Sequence, residues 1–422
     1  MLDATARLVP RPAHPEGPIV RRAVCADARP RARATLGESN TSMSPAARRS
    51  ETCRRAWLVL LANFVATRPR YEVTQPTSLA WLADAHAEAE AALAQLDDAG
   101  KRRFAAKIAN VLARCGCPPD KLARRGHSLP ELDVSRFAAD PRGRSAEART
   151  RLFAEIVDAY FTHAYEAERE PPDDLIHVTC TGYVSPNGAQ KLVAARGWRT
   201  RITNAYQMGC YAAVPAVRMA AGFTAIGARR VDIVHTELCS LHFHSDDHAI
   251  EQLVVQSLFA DGLIRYATLR DDDGPGLRLL GWAEQVLGDS AGAMGWRVSD
   301  RGMRMTLARD VPDRIAAALR GFVIELYQRA GLGLDAIRDS VFAVHPGGPK
   351  IIDRVREVLE LDEPQVRASR DVLHDFGNMS SATLPHIWMR LLADPAVPRG
   401  TLIPSLAFGP GLTVCGAVFE KQ

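Results

Sequence analysis

Three polar residues of this 422-residue chain stand where a side chain can enter a cleft. Cys210 sits in Gln207-Met208-Gly209-Cys210-Tyr211-Ala212-Ala213, between a strand-like run, Thr200 to Tyr206, and a helical pattern from Tyr211 to Ala221. A helix start directs unpaired N–H groups and a partial positive charge at whatever lies there, stabilising a thiolate and later an oxyanion. Such a cysteine is a candidate nucleophile, although taken alone it fits a small core residue equally well. Pro215 sets a condition, because in a helix regular from Cys210 onward its ring would oppose the carbonyl of Tyr211. His345 ends an apolar strand, Ser340-Val341-Phe342-Ala343-Val344, and enters the turn Pro346-Gly347-Gly348-Pro349. Sheet ends are where side chains meet ligands. Asn378, in Gly377-Asn378-Met379-Ser380-Ser381, precedes a helical stretch, where its amide can serve a ligand or cap the helix.

Other clusters point less far. His242-Phe243-His244-Ser245-Asp246-Asp247-His248 gathers three histidines and two carboxylates, a composition that suits a metal. Cys115-Gly116-Cys117 has no second pair at zinc-ligand spacing and is set aside. Gly409-Pro410-Gly411 lacks the Lys-Ser/Thr ending and following helix of a phosphate cradle.

The elements that must position these residues alternate. An apolar strand covers Ala56 to Ala66, and helices follow from Thr77-Ser78 to Leu96, Lys101 to Cys115 and Ser145 to Tyr165. Then come a strand at Asp174 to Thr181, a helix at Asn187 to Ala195, the two elements flanking Cys210, and a strand at Arg230 to Thr236. A second run has strands at Arg278 to Leu287, Met303 to Leu307 and Val341 to His345. Its helices are Val311 to Ala330, Lys350 to Leu361 and Ser381 to Leu392, and it closes with strands at Thr401 to Phe408 and Leu412 to Phe419. Strands alternating with helices imply an α/β protein whose sheet is buried on both faces.

Composition narrows the class. With 47% hydrophobic and 24% charged residues, the chain is long enough for well-buried cores and is neither collagenous nor wholly disordered. No apolar run reaches the 18 to 20 residues, roughly, that cross a bilayer, so no membrane span is expected. Eight irregularly spaced cysteines do not make a disulfide framework and suit a reducing compartment, and no compact apolar leader marks secretion. A cytoplasmic protein is expected. Residues 1–55 hold eleven arginines against five acidic residues, more than the whole net charge of +4. The segment 1–54, rich in Pro and Arg, reads as a disordered extension and not as a nucleic-acid-binding arm, with Met43 as a second start.

Taken together, four segments resemble the type III polyketide synthases, the chalcone synthase-like branch of the thiolase superfamily. They are Gly209-Cys210 with its small followers, His345-Pro346-Gly347-Gly348-Pro349-Lys350-Ile351, Gly377-Asn378-Met379-Ser380-Ser381-Ala382, and Phe408-Gly409-Pro410-Gly411-Leu412-Thr413-Val414. Order and spacing agree over roughly residues 56 to 422.

The resemblance implies a five-layered αβαβα thiolase fold in two pseudo-repeated halves, 55–275 with the nucleophile and 276–422 with the imidazole and amide, and a homodimer. It implies Cys210 as acyl-accepting nucleophile, His345 as its ion-pair partner and oxyanion donor, and Asn378 as second donor. The reaction would be Claisen condensation of acyl thioesters, closing to a pyrone or resorcinol-type ring, or the joining of two β-ketoacyl chains borne by carrier proteins. No permanently bound cofactor or metal is implied; coenzyme A or phosphopantetheine thioesters are the substrates. Phe243 is expected as an aromatic gate between acyl tunnel and cyclisation cavity, with Met305 in the place of the family's second gate phenylalanine. Tyr211, Ser380, Gly409 and Gly411 are expected around the cavity, the glycine loop as its floor. Lys121, Arg124 and Arg125 resemble a basic stretch near the tunnel mouth, where they would meet coenzyme A phosphates or an acidic carrier protein. Two alternatives share the fold: an initiating β-ketoacyl carrier-protein synthase that stops after one condensation, and a non-catalytic binding protein.

Overall fold

The computed structural model describes residues 59–128, 133–270 and 274–422. The expected extension over 1–54 and the start of the first strand at Ala56 lie outside them.

The chain begins with β1 (Val59–Thr67) and β2 (Tyr71–Thr74) and passes into α1 (Gln75–Ala94), whose start is capped by the Thr74 hydroxyl accepting from Thr77 N–H. Then follow α2 (Asp98–Cys115), β3 (Arg124–His127), the single turn α3 (Arg136–Ala139) and α4 (Ala146–Ala164). An alternating stretch contains β4 (Asp174–Thr179), α5 (Gly188–Arg196), β5 (Arg201–Tyr206), α6 (Ala213–Ala225), β6 (Arg230–Leu238), α7 (Ile250–Leu258) and β7 (Asp261–Arg270). The second alternating stretch has β8 (Leu277–Val286), β9 (Met294–Ser299), β10 (Gly302–Leu307), α8 (Val311–Arg329), β11 (Ala343–Val344), α9 (Pro349–Leu359), α10 (Glu363–Phe376), α11 (Thr383–Ala393), β12 (Leu402–Gly409) and β13 (Thr413–Lys421). The expected elements are present with ends shifted by a few residues. Between Thr236 and Arg278, where the sequence pattern gives none, stand α7 and β7, and α10 is a further addition.

Nine strands form one sheet in the order β11-β12-β13-β8-β1-β7-β6-β4-β5. It divides into two series with the same succession of pairings. From β1 outward, β7 and β6 pair antiparallel and β4 joins β6 in parallel. From β8 outward, β13 and β12 pair antiparallel and β11 joins β12 in parallel. Among the described residues only the first series carries a further parallel strand, β5, on β4. The two series meet where β1 and β8 pair through two residue pairs, Leu60↔Arg278 and Leu61↔Leu277.

Alternation along the strands buries both faces. Ile176 and Val178 of β4 and Ile403 and Ala407 of β12 face one core, shared with Ala216 and Ala220 of α6 and Ile387 and Trp388 of α11. Leu175 of β4 turns to Phe161 of α4 and Leu192 of α5. Leu406 and Phe408 of β12 turn to Leu319 and Phe322 of α8 and to Val355 of α9. Two middle helices therefore contact both series and two outer helix layers cover them, which makes five layers. No helix among the described residues is long and apolar enough to cross a membrane.

Candidate active site

Cys210 lies in a 3-10 turn, Gly209–Tyr211, between β5 and α6. Gly209 holds φ +74°, where a side chain is strained, and a Cβ there would stand 2.8 Å from Pro410 Cδ. The Gly409-Pro410-Gly411 loop interlocks with this turn, since a Cβ on Gly409 would meet the Tyr211 ring at 2.4 Å. Because α6 starts only at Ala213, Pro215 falls within its first turn, which meets the condition that proline imposes. The expected helix start at the cysteine is displaced by this turn.

His345 follows β11, its N–H donating to Leu406 O at 2.8 Å. Asn378 is fixed by backbone bonds on both sides: its N–H donates to Leu258 O at 3.1 Å and its carbonyl accepts from Ala260 N–H at 2.9 Å. Its Oδ1 accepts from Ser380 N–H at 2.9 Å, so Nδ2 is the free end of the amide.

Cys210, His345 and Asn378 line one cavity of about 920 Å³, walled by apolar residues that include Val254, Leu258, Phe259, Met294, Met305 and Phe408. Cys210 is 8% exposed, and His345 and Asn378 are each 1% exposed. Among the described residues neither ring nitrogen of His345 has a hydrogen-bond partner, and Asn378 Nδ2 makes none of regular geometry although the amide lies near the Cys210 sulfur. Burial dominates the electrostatics. It pushes the Cys210 thiol up to about 12, opposed by hydrogen bonding from Ser380 and Asn378 and reinforced by Glu237, and holds the His345 imidazole down at about 3. Burial thus works against the charged form of either group taken alone.

The other expected residues divide. Met305 lines this cavity, and Ser380 Oγ lies 3.8 Å from Cys210 Sγ. Phe243 does not reach it: the ring packs against Trp81, His86 and Phe137 and lines a neighbouring cavity of about 830 Å³. The aromatic rings lining the Cys210 cavity are Phe259 and Phe408, and Phe259, Val255 and Met305 line both cavities and so stand between them. Tyr211, in the nucleophile's turn, packs against Gly409, Gly411 lies beside Thr413, and none of the three lines the cavity; Phe408, one residue before Gly409, does.

Lys121 and Arg124 are exposed and lie beside Asp120 and Glu72, both at 3.5 Å. Arg125 departs from them. It is buried, with its guanidinium donating to Gln256 O at 2.6 Å, Phe259 O at 2.8 Å and Ser78 Oγ. The exposed cations on the rim of the Cys210 cavity are Arg309 and Lys350.

The histidine-rich segment is drawn apart. His242 Nε2 donates to Thr181 O, His244 Nε2 donates to Met303 O, and His248 faces His86 and Glu90. Among the described residues no group of three or more His, Cys, Asp or Glu could hold a metal ion.

Five layers, two like-ordered strand series and a buried thiol between them define the thiolase fold. The C-terminal structure of Steely1, a type III polyketide synthase domain from a Dictyostelium type I/III hybrid, superposes with a TM-score of 0.72 at 22% identity, covering 86% of this chain and 99% of that one. Residues 279–421 match the family described as chalcone and stilbene synthases, C-terminal domain. The 1,3,6,8-tetrahydroxynaphthalene synthase of Streptomyces griseus is 30% identical over 276 residues, 65% of this chain and 73% of that enzyme. Type III polyketide synthase A of Arabidopsis thaliana is 31% identical over 268 residues, 60% of this chain and 67% of that protein. Probable polyketide synthase 1 of Dictyostelium discoideum is 30% identical over 256 residues, 58% of this chain, which spans 8% of that protein's length. The chain belongs to the type III polyketide synthases, acyltransferases that condense coenzyme A thioesters by Claisen chemistry without a permanently bound cofactor.

Proposed function

We propose that this chain builds polyketides by decarboxylative condensation on a Cys210-bound acyl group. The observation that carries the proposal is the set of unpartnered polar groups, His345 Nδ1 and Nε2 and Asn378 Nδ2, buried with Cys210 around one apolar cavity. Buried polar groups are nearly always paired, and donors left unpaired in a dry cavity suit a charge that appears only during reaction.

Cys210 takes the starter acyl group, dividing a difficult condensation into acyl transfer and carbon–carbon bond formation. The neutral His345 ring donates one N–H, and Asn378 its amide, to the thioester oxygen of the extender. Loss of CO2 then leaves an enolate whose oxygen already has its donors, each worth about 3 to 4 kcal/mol in such a site. The enolate carbon attacks the Cys210 thioester and frees the sulfur. Arg309 and Lys350 stand on the cavity rim where a thioester's phosphates would lie, a better placement than that of Arg125.

Ring closure to a pyrone or resorcinol-type product, use of carrier-protein substrates, homodimer formation and a cytoplasmic site belong to the same proposal. So does the division into halves at 275/276, which the like-ordered strand series support. The test is intact-protein mass spectrometry with an acyl-coenzyme A. Wild type is expected to gain the acyl mass and Cys210→Ala none; the same adduct on the variant would remove Cys210 from its role. With malonyl-coenzyme A added, a cyclised product is expected, whereas a linear β-ketoacyl product alone would identify a single-condensation enzyme.

A further inference from the structure

Arg125 stands where the two segments that carry Phe259 and Asn378 meet. An α-helix ends in carbonyls that have no partner within the helix, and at the end of α7 groups from distant parts of the chain take them up. Arg125 Nη1 donates to Gln256 O at 2.6 Å and to Phe259 O at 2.8 Å. Gln75 Nε2 donates to Ser257 O at 2.8 Å. The start of α1 also orients the guanidinium, because Arg125 Nη2 donates to the Ser78 hydroxyl.

The second segment is held through the first. Asn378 pairs with Phe259 as a parallel β-bridge, with its N–H on Leu258 O at 3.1 Å and its carbonyl receiving Ala260 N–H at 2.9 Å. Gly377, just before it, has φ +78° and no room for a side chain: a Cβ would stand 3.1 Å from Leu258 O and from Ala260 Cβ, and 3.3 Å from Arg125 Cγ. The stem of Arg125 thus packs against the residue that precedes the amide, while its head holds the residue that carries the ring. Arg125 is 7% exposed and lines the neighbouring cavity, not that of Cys210. Any effect it has on the chemistry passes through other residues.

We propose that Arg125 is a positioning residue for the condensation, clamping the end of α7 so that Phe259 and the Asn378 amide keep their places at the Cys210 cavity. A cation suits this spot, because the carbonyl end of a helix carries partial negative charge. Burial lowers the guanidinium to about 10, opposed by Cys117 and Asp261, so it keeps its charge near neutral pH. Its planar fork holds two carbonyls and a hydroxyl at once. A lysine ammonium, a compact charge on a flexible stem, does not reproduce that set. Such support matters because misplacing a reacting geometry by an ångström costs about 10²-fold in rate.

This inference rests on the reading of Asn378 as an oxyanion donor, and one arm of its test is independent of that reading. Hydrogen exchange, followed by mass spectrometry, should rise about tenfold in Arg125→Lys over peptides covering Leu258–Ala260 and Gly377–Asn378, with β12 as in wild type. Unchanged exchange in both segments overturns the clamp whatever the chain's activity. In the second arm, Arg125→Lys should lower kcat for malonyl-coenzyme A decarboxylation about tenfold and leave KM within about twofold. Cys210 should still load its acyl group, and the product should shift in the same sense as in Phe259→Ala. A raised KM with kcat kept marks a coenzyme A contact, and full kcat with a lower urea midpoint marks a purely structural arginine; either overturns the positioning role. Should Arg125→Lys fail to fold, Ser78→Ala decides, with an expected loss of about threefold in kcat and the same product shift; wild-type values there overturn the proposal. Wild type that loads no acyl group and releases no CO2 overturns the functional reading instead, while hydrogen exchange still judges the clamp.

Discussion

The two strand series carry their polar residues at matching places and use them differently. After the parallel strand next to the antiparallel pair, the first series has Cys180 following β4 and the second has His345 following β11. Before the middle helix, the first has Cys210 in a 3-10 turn ahead of α6. The second has Asn378 just before another 3-10 turn, Ser380–Ala382, ahead of α11. The first series contributes thiols whose hydrogen bonds are made; the second contributes an imidazole and an amide whose donors are unmade. One scaffold thus supplies four matching positions, and satisfaction of hydrogen bonds, more than position, distinguishes the two sides.

Breaking the second side alone gives the largest expected effect. Asn378→Ala should lower the rate of malonyl-coenzyme A decarboxylation by about 10² to 10³-fold, the usual loss for one oxyanion donor, measured as CO2 release. Acyl loading of Cys210 should persist, so loading and decarboxylation part company between the two series. Equal loss of both would merge them into one unit.

The two phenylalanines sharpen the comparison next. Phe259→Ala opens the partition beside Cys210 and should change the chain length or ring of the product, read by liquid chromatography and mass spectrometry. Phe243→Ala removes a ring packed among aromatics and should act on stability, by about 3 kcal/mol in denaturant midpoint analysis, with the product unchanged.

The smallest effect concerns acid. The folded His345 value, about 3, lies below the usual 6.5, so stability is fully present above pH 6.5 and is lost as pH falls toward 3, since only the unfolded chain takes up the proton. Between pH 6.5 and 5 this one group accounts for about 2 kcal/mol. His345→Gln should therefore show a shallower decline of urea midpoint over that window than wild type.

Much of the site was legible because each member announces itself locally. Cys210 stands between a strand and a helix, and His345 ends an apolar run at a Pro-Gly turn. Asn378 precedes a helix. What escaped depends on contacts between distant segments. Glu237 and Cys180 are 57 residues apart and Cys180 and Ser380 are 200 apart, so no spacing rule links them. Phe259 follows α7 in a stretch whose helix and strand show no clear period, and Phe243 is the more conspicuous aromatic in the sequence. Arg125 reads as solvated because its neighbours in sequence are charged, yet the carbonyls of Gln256 and Phe259 draw it inside. The layered fold itself followed from alternation, which needs no long-range information.

The seam between the series has a mechanical meaning. With two residue pairs joining β1 to β8, the bridge of main-chain bonds is narrow, and α6, α11 and the 3-10 turns that precede them pack across it. Sulfur on one bank and imidazole on the other meet only while those helices stay docked. Turnover is therefore a gauge of that docking, and gentle denaturation should silence the enzyme at the moment the banks part, ahead of any loss of the outer helices.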